Sequence, residues 1–354
     1  MQSNKYSDSK LLHFPEKLAS FAKGQITAPI YVRVKPINYC NHNCYWCVYH
    51  APDMSKMHTD MEVRDVIPAP KMFEVLDDFK SMGVKALTFS GGGEPLLHKD
   101  IDQFMLKTLE HGIDLSIITN GSLLRGSKAE ILGKAKWVRV SMDYSCAEQL
   151  KKFRGVHPKF YDEIIINISD FAKTKDSACD LYVNFIVHWE NYKDLVDVAR
   201  KLKDIGVQNV RFSPMWKAPH FHEYHAKIDD EVREQLAKIS SDLADKTFSV
   251  NTTYDLTSSA HNSFRTYHRC FFMQVVPVIG ADQVVYACHN KAYDQTGAIG
   301  SIKEQSFKTL WFSEEAKNVF EQLDPVRMCQ HQCSNDSKNH LIHEVLESSA
   351  DNFV

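Results

Sequence analysis

Between residues 30 and 212 short apolar runs alternate with amphipathic stretches, and this alternation restricts the chain more than any other feature. Segments 30–37, 84–89, 115–119, 137–141, 181–187 and 210–212 read as strands. Helical stretches separate them. Met72, Val75, Leu76 and Phe79 recur at helical spacing after Pro70, and Gly83 closes the run. Ile101, Phe104, Met105 and Leu109 repeat the pattern before Gly112, and further helices are predicted over 158–173 and 193–205. Strands alternating with helices imply a parallel sheet with right-handed crossovers. Six strands in one run fit a partial (β/α)6 barrel, an α/β fold, better than a short open sheet.

One more amphipathic helix is predicted at 229–245, and then the texture changes. Segments 274–279 and 283–287, separated by Gly280-Ala281-Asp282, read as a hairpin, and 306–323 reads as a helix. The division this suggests is an N-terminal extension at 1–29, a barrel at 30–245, a small α+β domain at 246–340 and a tail at 341–354. A formal net charge of −3 carries no basic excess that would point to nucleic acid. The N-terminus lacks a signal-peptide pattern, and no run approaches the ~20 apolar residues that span a bilayer. A cytoplasmic protein without a membrane or nucleic-acid partner is expected. In that compartment clustered cysteines are metal ligands or catalytic groups more often than disulfides.

Of the nine cysteines, three sit together at Cys40, Cys44 and Cys47, directly after the first strand. Three thiolates on one loop suit an iron–sulfur cluster with one iron left open. Zinc, with His42 or His50 as a fourth ligand, is the alternative. Ser90-Gly91-Gly92-Gly93-Glu94-Pro95 ends the next strand on the same sheet edge. Glycines there permit close backbone approach to a ligand, and the Glu94 carboxylate suits an ammonium group.

Together with Trp46 before the third cysteine, with Thr119-Asn120-Gly121, with Arg139-Val140-Ser141-Met142-Asp143 and with Phe153-Arg154-Gly155, these motifs make residues 30–230 resemble the radical S-adenosylmethionine (radical SAM) superfamily. The resemblance implies a TIM-like partial barrel and a 4Fe–4S cluster on Cys40, Cys44 and Cys47, with SAM on the fourth iron. It implies that Gly92, Gly93 and Glu94 take the methionyl amino group. Ser141, Asp143 and Arg154 would contact the SAM carboxylate and ribose, with helix capping and strand termination as the plainer reading of the first two. Trp46 and the strand from Asn184 to Val187 would hold adenine, largely through backbone groups, and Asn120 is grouped with this site. The chemistry implied is one-electron cleavage of SAM to a 5′-deoxyadenosyl radical, which takes hydrogen from a substrate. A flavodoxin or ferredoxin would supply the electron.

Cys270, Cys288, Cys329 and Cys333 supply four more thiolates, enough for zinc or a second 4Fe–4S cluster. With Val285-Tyr286-Ala287 before Cys288, the 297–302 stretch and Leu310-Trp311, this region resembles the auxiliary-cluster domain of radical SAM enzymes, in the short "twitch" form related to SPASM. Four cysteines limit it to one cluster, which the resemblance implies is an electron conduit. The expected substrate is a small molecule, a sugar, aminosugar or nucleotide sugar, that is oxidised or epimerised. A peptide or protein maturase is the alternative, and a non-catalytic iron–sulfur or zinc scaffold is the reading from another class. Candidate pocket residues are Tyr144, His188, Trp189, Glu190, Met215, Trp216, Lys217, His220 and His222. Cys146, three residues after Asp143, is a candidate hydrogen-atom donor, although a buried cysteine at a helix start is the plainer reading. Cys179 precedes its strand and is expected to be structural.

Overall fold

The structure, a computed structural model, describes residues 7–51, 60–215, 225–252, 265–329 and 333–348. Ten strands form one sheet: β1 (Tyr31–Val34), β2 (Ala86–Phe89), β3 (Asp114–Thr119), β4 (Trp137–Met142), β5 (Asp180–Val187), β6 (Asn209–Pro214), β7 (Ser249–Thr252), β8 (Val278–Ile279), β9 (Val284–Tyr286) and β10 (Ala298–Ser301). Their order is β10-β9-β8-β1-β2-β3-β4-β5-β6-β7, and β1 to β7 are parallel neighbours. Because β7 and β10 lie at opposite ends, the sheet curls into an unclosed barrel. Among the described residues the barrel strands β1 to β7 are one more than the sequence suggests, and β8 extends the parallel run beyond β1. β7 escapes notice because Ser249-Val250-Asn251-Thr252 carries one apolar side chain and no alternation worth the name.

Alternation in burial shows how the barrel is built. Val32 and Val34 of β1, Val138 and Val140 of β4, and Val210 and Phe212 of β6 are wholly buried in one core with Met72, Phe79, Phe104 and Ile168 from the surrounding helices. Their strand neighbours Arg33, Arg139 and Arg211 face the other way, onto the concave side, and are partly exposed. The helices follow their sequence signals. Gly83 ends helix Ala69–Met82 with φ 79°, a left-handed cap that glycine adopts without steric cost.

The second domain does not build a separate sheet. β8 pairs in parallel with β1, and β8, β9 and β10 continue antiparallel from it. The hairpin is shorter than predicted, since Phe271–Gln274 forms a 3-10 turn ahead of it. The predicted helix at 306–323 is two helices, Phe307–Trp311 and Glu314–Gln322. Ser313 breaks it, because its hydroxyl caps the second helix by accepting from Ala316 N. Leu11 and Phe21 of the N-terminal extension pack with Phe271, Phe272 and Ile342 in a second small core. Helix Asp336–Glu347, which carries Ile342, runs across position 341, where the tail was expected to start. No described helix is long and apolar enough to cross a membrane.

Candidate active site

The three-cysteine loop leaves β1 at the C-terminal edge of the sheet, and three other elements fasten it there. The Gly-Glu turn after β2 is the first. Gly93 N donates to Ile37 O at 3.1 Å, and Glu94 N donates to Tyr39 O at 3.1 Å. A Cβ on Gly92 would overlap the Asn38 side chain, and one on Gly93 would overlap the Tyr39 carbonyl. These glycines let the cysteine loop approach the turn closely.

Glu94 is fully buried. Its carboxylate accepts from Leu96 N at 3.2 Å, Thr119 Oγ1 at 2.7 Å and Asn120 N at 2.7 Å. Burial pushes its pKa up to about 7 against those three bonds. A carboxylate so desolvated, held by neutral donors, gains most from a cation placed opposite it. Asn120 joins the same corner, donating from Nδ2 to Asn41 Oδ1 at 2.8 Å.

The third fastening is an ion pair. Asp143, after β4, is wholly buried; one oxygen accepts from Arg154 Nε at 2.6 Å and the other from Trp46 Nε1 at 2.5 Å. Arg154 also donates from Nη2 to Ser141 O at 3.1 Å and from Nη1 to Cys44 Sγ at 3.5 Å, and its guanidinium lies 5.1 Å from the Trp46 ring centroid. Its backbone binds the loop as well: Asn43 N donates to Arg154 O at 2.8 Å and Tyr45 N to Phe153 O at 3.2 Å. Asp143 and Arg154, expected as SAM contacts, are paired with each other in this structure. Each is committed to the other and to the loop, so they position Trp46 and Cys44. Nothing in the spacing of Phe153-Arg154-Gly155 signalled this clamp.

Burial pushes the Cys40 thiol up to about 12 and Cys44 up to about 11, so both need a positive centre to persist as thiolates. His42 is buried, its Nδ1 has no partner among the described residues, and burial lowers its pKa to about 3. Among the described residues no three His, Cys, Asp or Glu side chains converge as the ligands of one metal ion.

Other expected contacts divide. Ser141 and Asn184 lie on the concave face, and Asn184 Oδ1 accepts from Ser213 Oγ at 3.2 Å. Val187 has its side chain in the helix-facing core, and its carbonyl accepts from Met215 N at 3.0 Å. Tyr144 and His188 are fully buried, and Trp189 is exposed, with its indole on Glu190. Met215 is buried and its sulfur accepts from Tyr45 OH at 3.7 Å. Trp216, Lys217, His220 and His222 lie outside the described residues. Cys146 is the N-cap of helix Ala147–Arg154 and half-buried, while Cys179 is wholly buried with its thiol on Leu132 O at 3.5 Å.

Cys270, Cys288, Cys329 and Cys333 line one small cavity of about 30 Å³ that opens partly to solvent. They come from three segments, around Cys270, around Cys288 and across Cys329–Cys333. Amides aim at the sulfurs: Asn335 N at 3.4 Å from Cys333 Sγ and Asn339 Nδ2 at 3.4 Å from Cys270 Sγ. Arg265 and Lys291 also line the cavity. Burial holds the Cys270 and Cys288 thiols up at about 12. A preformed cavity with four thiols and N–H donors fits an iron–sulfur cluster.

Comparison with known proteins agrees. The family profile described as the radical SAM superfamily matches residues 34–217, and that of an iron–sulfur cluster-binding domain, SPASM, matches 270–334. A probable GTP 3′,8-cyclase of Methanocaldococcus jannaschii is 32% identical over 218 residues, 59% of this chain and 67% of that one. An Fe-coproporphyrin III synthase of Methanosarcina barkeri is 25% identical over 207 residues, 58% of this chain and 47% of that one. The chain therefore spans about half to two thirds of these relatives. Streptococcus suis SuiB bound to S-adenosylmethionine shares the fold, with TM-score 0.65 and 18% identity over 88% of this chain and 72% of that one. An unclosed parallel barrel, an iron–sulfur domain joined to its first strand and a profile match across the barrel place this chain in the radical SAM superfamily, whose members work with 4Fe–4S clusters and SAM.

Proposed function

We propose that this chain cleaves SAM reductively at a cluster held by Cys40, Cys44 and Cys47, and that Cys270, Cys288, Cys329 and Cys333 hold the auxiliary cluster. The observation that carries the reading is the clamp: Arg154, Asp143 and Trp46 from separate elements lock the loop so that Cys44 meets a guanidinium. A cluster held by Cys40, Cys44 and Cys47 would supply the single electron for reductive cleavage of SAM and so the means of removing hydrogen from a substrate. Glu94 takes the methionyl ammonium, and the contact restores its carboxylate to the ionised form that burial opposes. Ser141 and Asn184, on the concave face, border the substrate. The Arg154–Asp143 pair fixes the loop and the indole, so neither group spends binding energy rearranging.

The substrate is proposed to be a small molecule, a sugar or a nucleotide sugar, oxidised with the auxiliary cluster as electron acceptor; epimerisation with Cys146 as hydrogen donor is the variant of this reading. The likeness to a probable GTP 3′,8-cyclase favours a nucleotide as the second reading. The test is anaerobic reconstitution with iron and sulfide, reduction with dithionite and assay of 5′-deoxyadenosine. Reductive cleavage supports the proposal; iron loading without any cleavage refutes it.

A further inference from the structure

The two cysteine groups belong to different domains, yet the segments that carry them touch. Tyr49 lies two residues after Cys47, and His289 directly follows Cys288. Their rings meet edge to face, with centroids 6.3 Å apart and planes at 80°. That contact is the one non-bonded step on a route that otherwise follows covalent chain from Cys47 to Cys288. Both ends of the route are coiled tightly. Ala51 N donates to Cys47 O at 3.0 Å across Tyr49, and Lys291 N donates to Cys288 O at 3.2 Å across His289.

Two further residues fix the Tyr49 ring. Lys35, wholly buried directly after β1, donates to Tyr49 OH at 2.7 Å and to Gly91 O at 2.6 Å. A buried ammonium is destabilising unless it is bonded, and this one is committed to orienting a phenol. Tyr293, also wholly buried, packs against the Tyr49 ring at 6.0 Å and 85°. It does so from a left-handed backbone, φ 61°, which is uncommon for a bulky residue. Its hydroxyl donates to Asn38 Oδ1 and accepts from Ala281 N at 3.1 Å, so the second domain grips the cysteine loop at this point. Burial pushes the Tyr49 phenol up, and the Cys47 and Cys288 thiolates add to that push while Arg33 opposes it. Both cysteine groups are thus felt at this one ring.

Electron transfer between buried centres falls off steeply across empty gaps and travels better through bonds and packed rings. Resting on the proposed pair of clusters, we infer that Tyr49 and His289 form the electron path between them. One electron leaves one cluster core and reaches the other, so the first is oxidised by one electron and the second reduced by one. No bond forms or breaks, no proton moves, and neither ring changes its own oxidation state. Lys35 and Tyr293 are positioning residues for the path.

The test follows the electron and not the product. The reconstituted chain, without SAM so that cleavage takes no electron, is flash-reduced by a photoexcited deazaflavin, frozen at increasing delays and read by electron paramagnetic resonance. The Cys44→Ala chain and the Cys270→Ala/Cys288→Ala chain, each keeping one cluster, assign the two signals. In the unaltered chain the electron should settle between the clusters in a fast phase that does not depend on protein concentration. Tyr49→Leu and His289→Leu should each lose that phase, with iron content and both midpoint potentials unchanged. Tyr49→Phe and His289→Phe keep a ring and should retain most of it. A fast phase that survives both Leu variants overturns the inference, and so does its loss in the Phe variants. If Tyr49→Leu sheds iron, His289→Leu decides from the other side. Iron loss in both, or a phase that slows only as the potentials shift, shows that the rings hold the clusters and overturns the path as well. SAM cleavage by the unaltered holoenzyme is measured alongside. If cleavage fails while the fast phase obeys the variants, the proposed function fails and the path stands; if cleavage stands and the fast phase ignores them, only this inference falls.

Discussion

The two cysteine groups are built on opposite plans. The first places three thiols on one loop of eight residues and relies on other elements to pin it, through the turn at Gly92–Glu94, the corner at Asn120 and the Asp143–Arg154 pair. The second draws four thiols from separate segments around a ready cavity. A pinned loop keeps its shape when one thiol is lost. Three segments meeting around a cavity depend on what fills it. The first group lies near the Glu94 and Asp143 carboxylates and the Arg154 guanidinium, while Arg265 and Lys291 line the second, with Asp324 and Asp336 close by. Cationic surroundings favour a cluster's reduced, more negative state, as suits an electron acceptor.

The sharpest test of this contrast removes one thiol from each side. Cys44→Ala should abolish formation of 5′-deoxyadenosine and reduce iron from about eight to about four per chain, with the fold retained. Chromatographic assay and iron analysis check it; wild-type cleavage would refute the ligand assignment. Cys270→Ala combined with Cys288→Ala should spare SAM cleavage yet stop net product, and should also lower the melting temperature, because cluster binding contributes to folding of that domain. Unchanged product yield would leave the second cluster without a redox role.

The clamp can be broken without touching a cysteine. Arg154→Gln leaves the Asp143 carboxylate buried and unpaired, a loss of about 3–5 kcal/mol measurable by denaturant unfolding. Asp143→Asn in the same chain should recover part of it, and additive losses would show that the two residues do not act as a pair. The smallest expected effect is at Gly155, which has φ 62° and would press a Cβ against Asn43 at 3.1 Å. Gly155→Ala should cost about 1–2 kcal/mol and loosen the loop, seen as faster cluster loss under a chelator.

Much of this was legible in the residues. The strands announced themselves because each buries alternate apolar side chains, and the cysteine spacing announced the loop. What escaped was whatever depends on a distant partner. Arg154 looks like any helix-ending arginine until the fold brings Asp143 and Trp46 to it. Nothing in the spacing of Gly92 and Gly93 told that Asn38 and Tyr39 of the cysteine loop pass close to them. β7 lacks periodicity because it is a short polar edge, and the break at 312–313 was missed although Ser313 followed by Glu314-Glu315 is a helix-start signal.

The pairing of β8 with β1 means that the two domains share a backbone seam: Tyr31, Arg33 and Lys35 donate their amides to Val275, Pro277 and Ile279. A fragment cut at the boundary near 245 would not be a smaller version of this enzyme. It would carry a raw edge strand, with unanswered amides beside a valine core, ready to stitch itself to another copy. Grafting a different C-terminal domain onto this barrel therefore requires a matching parallel strand, since the join is woven rather than hinged.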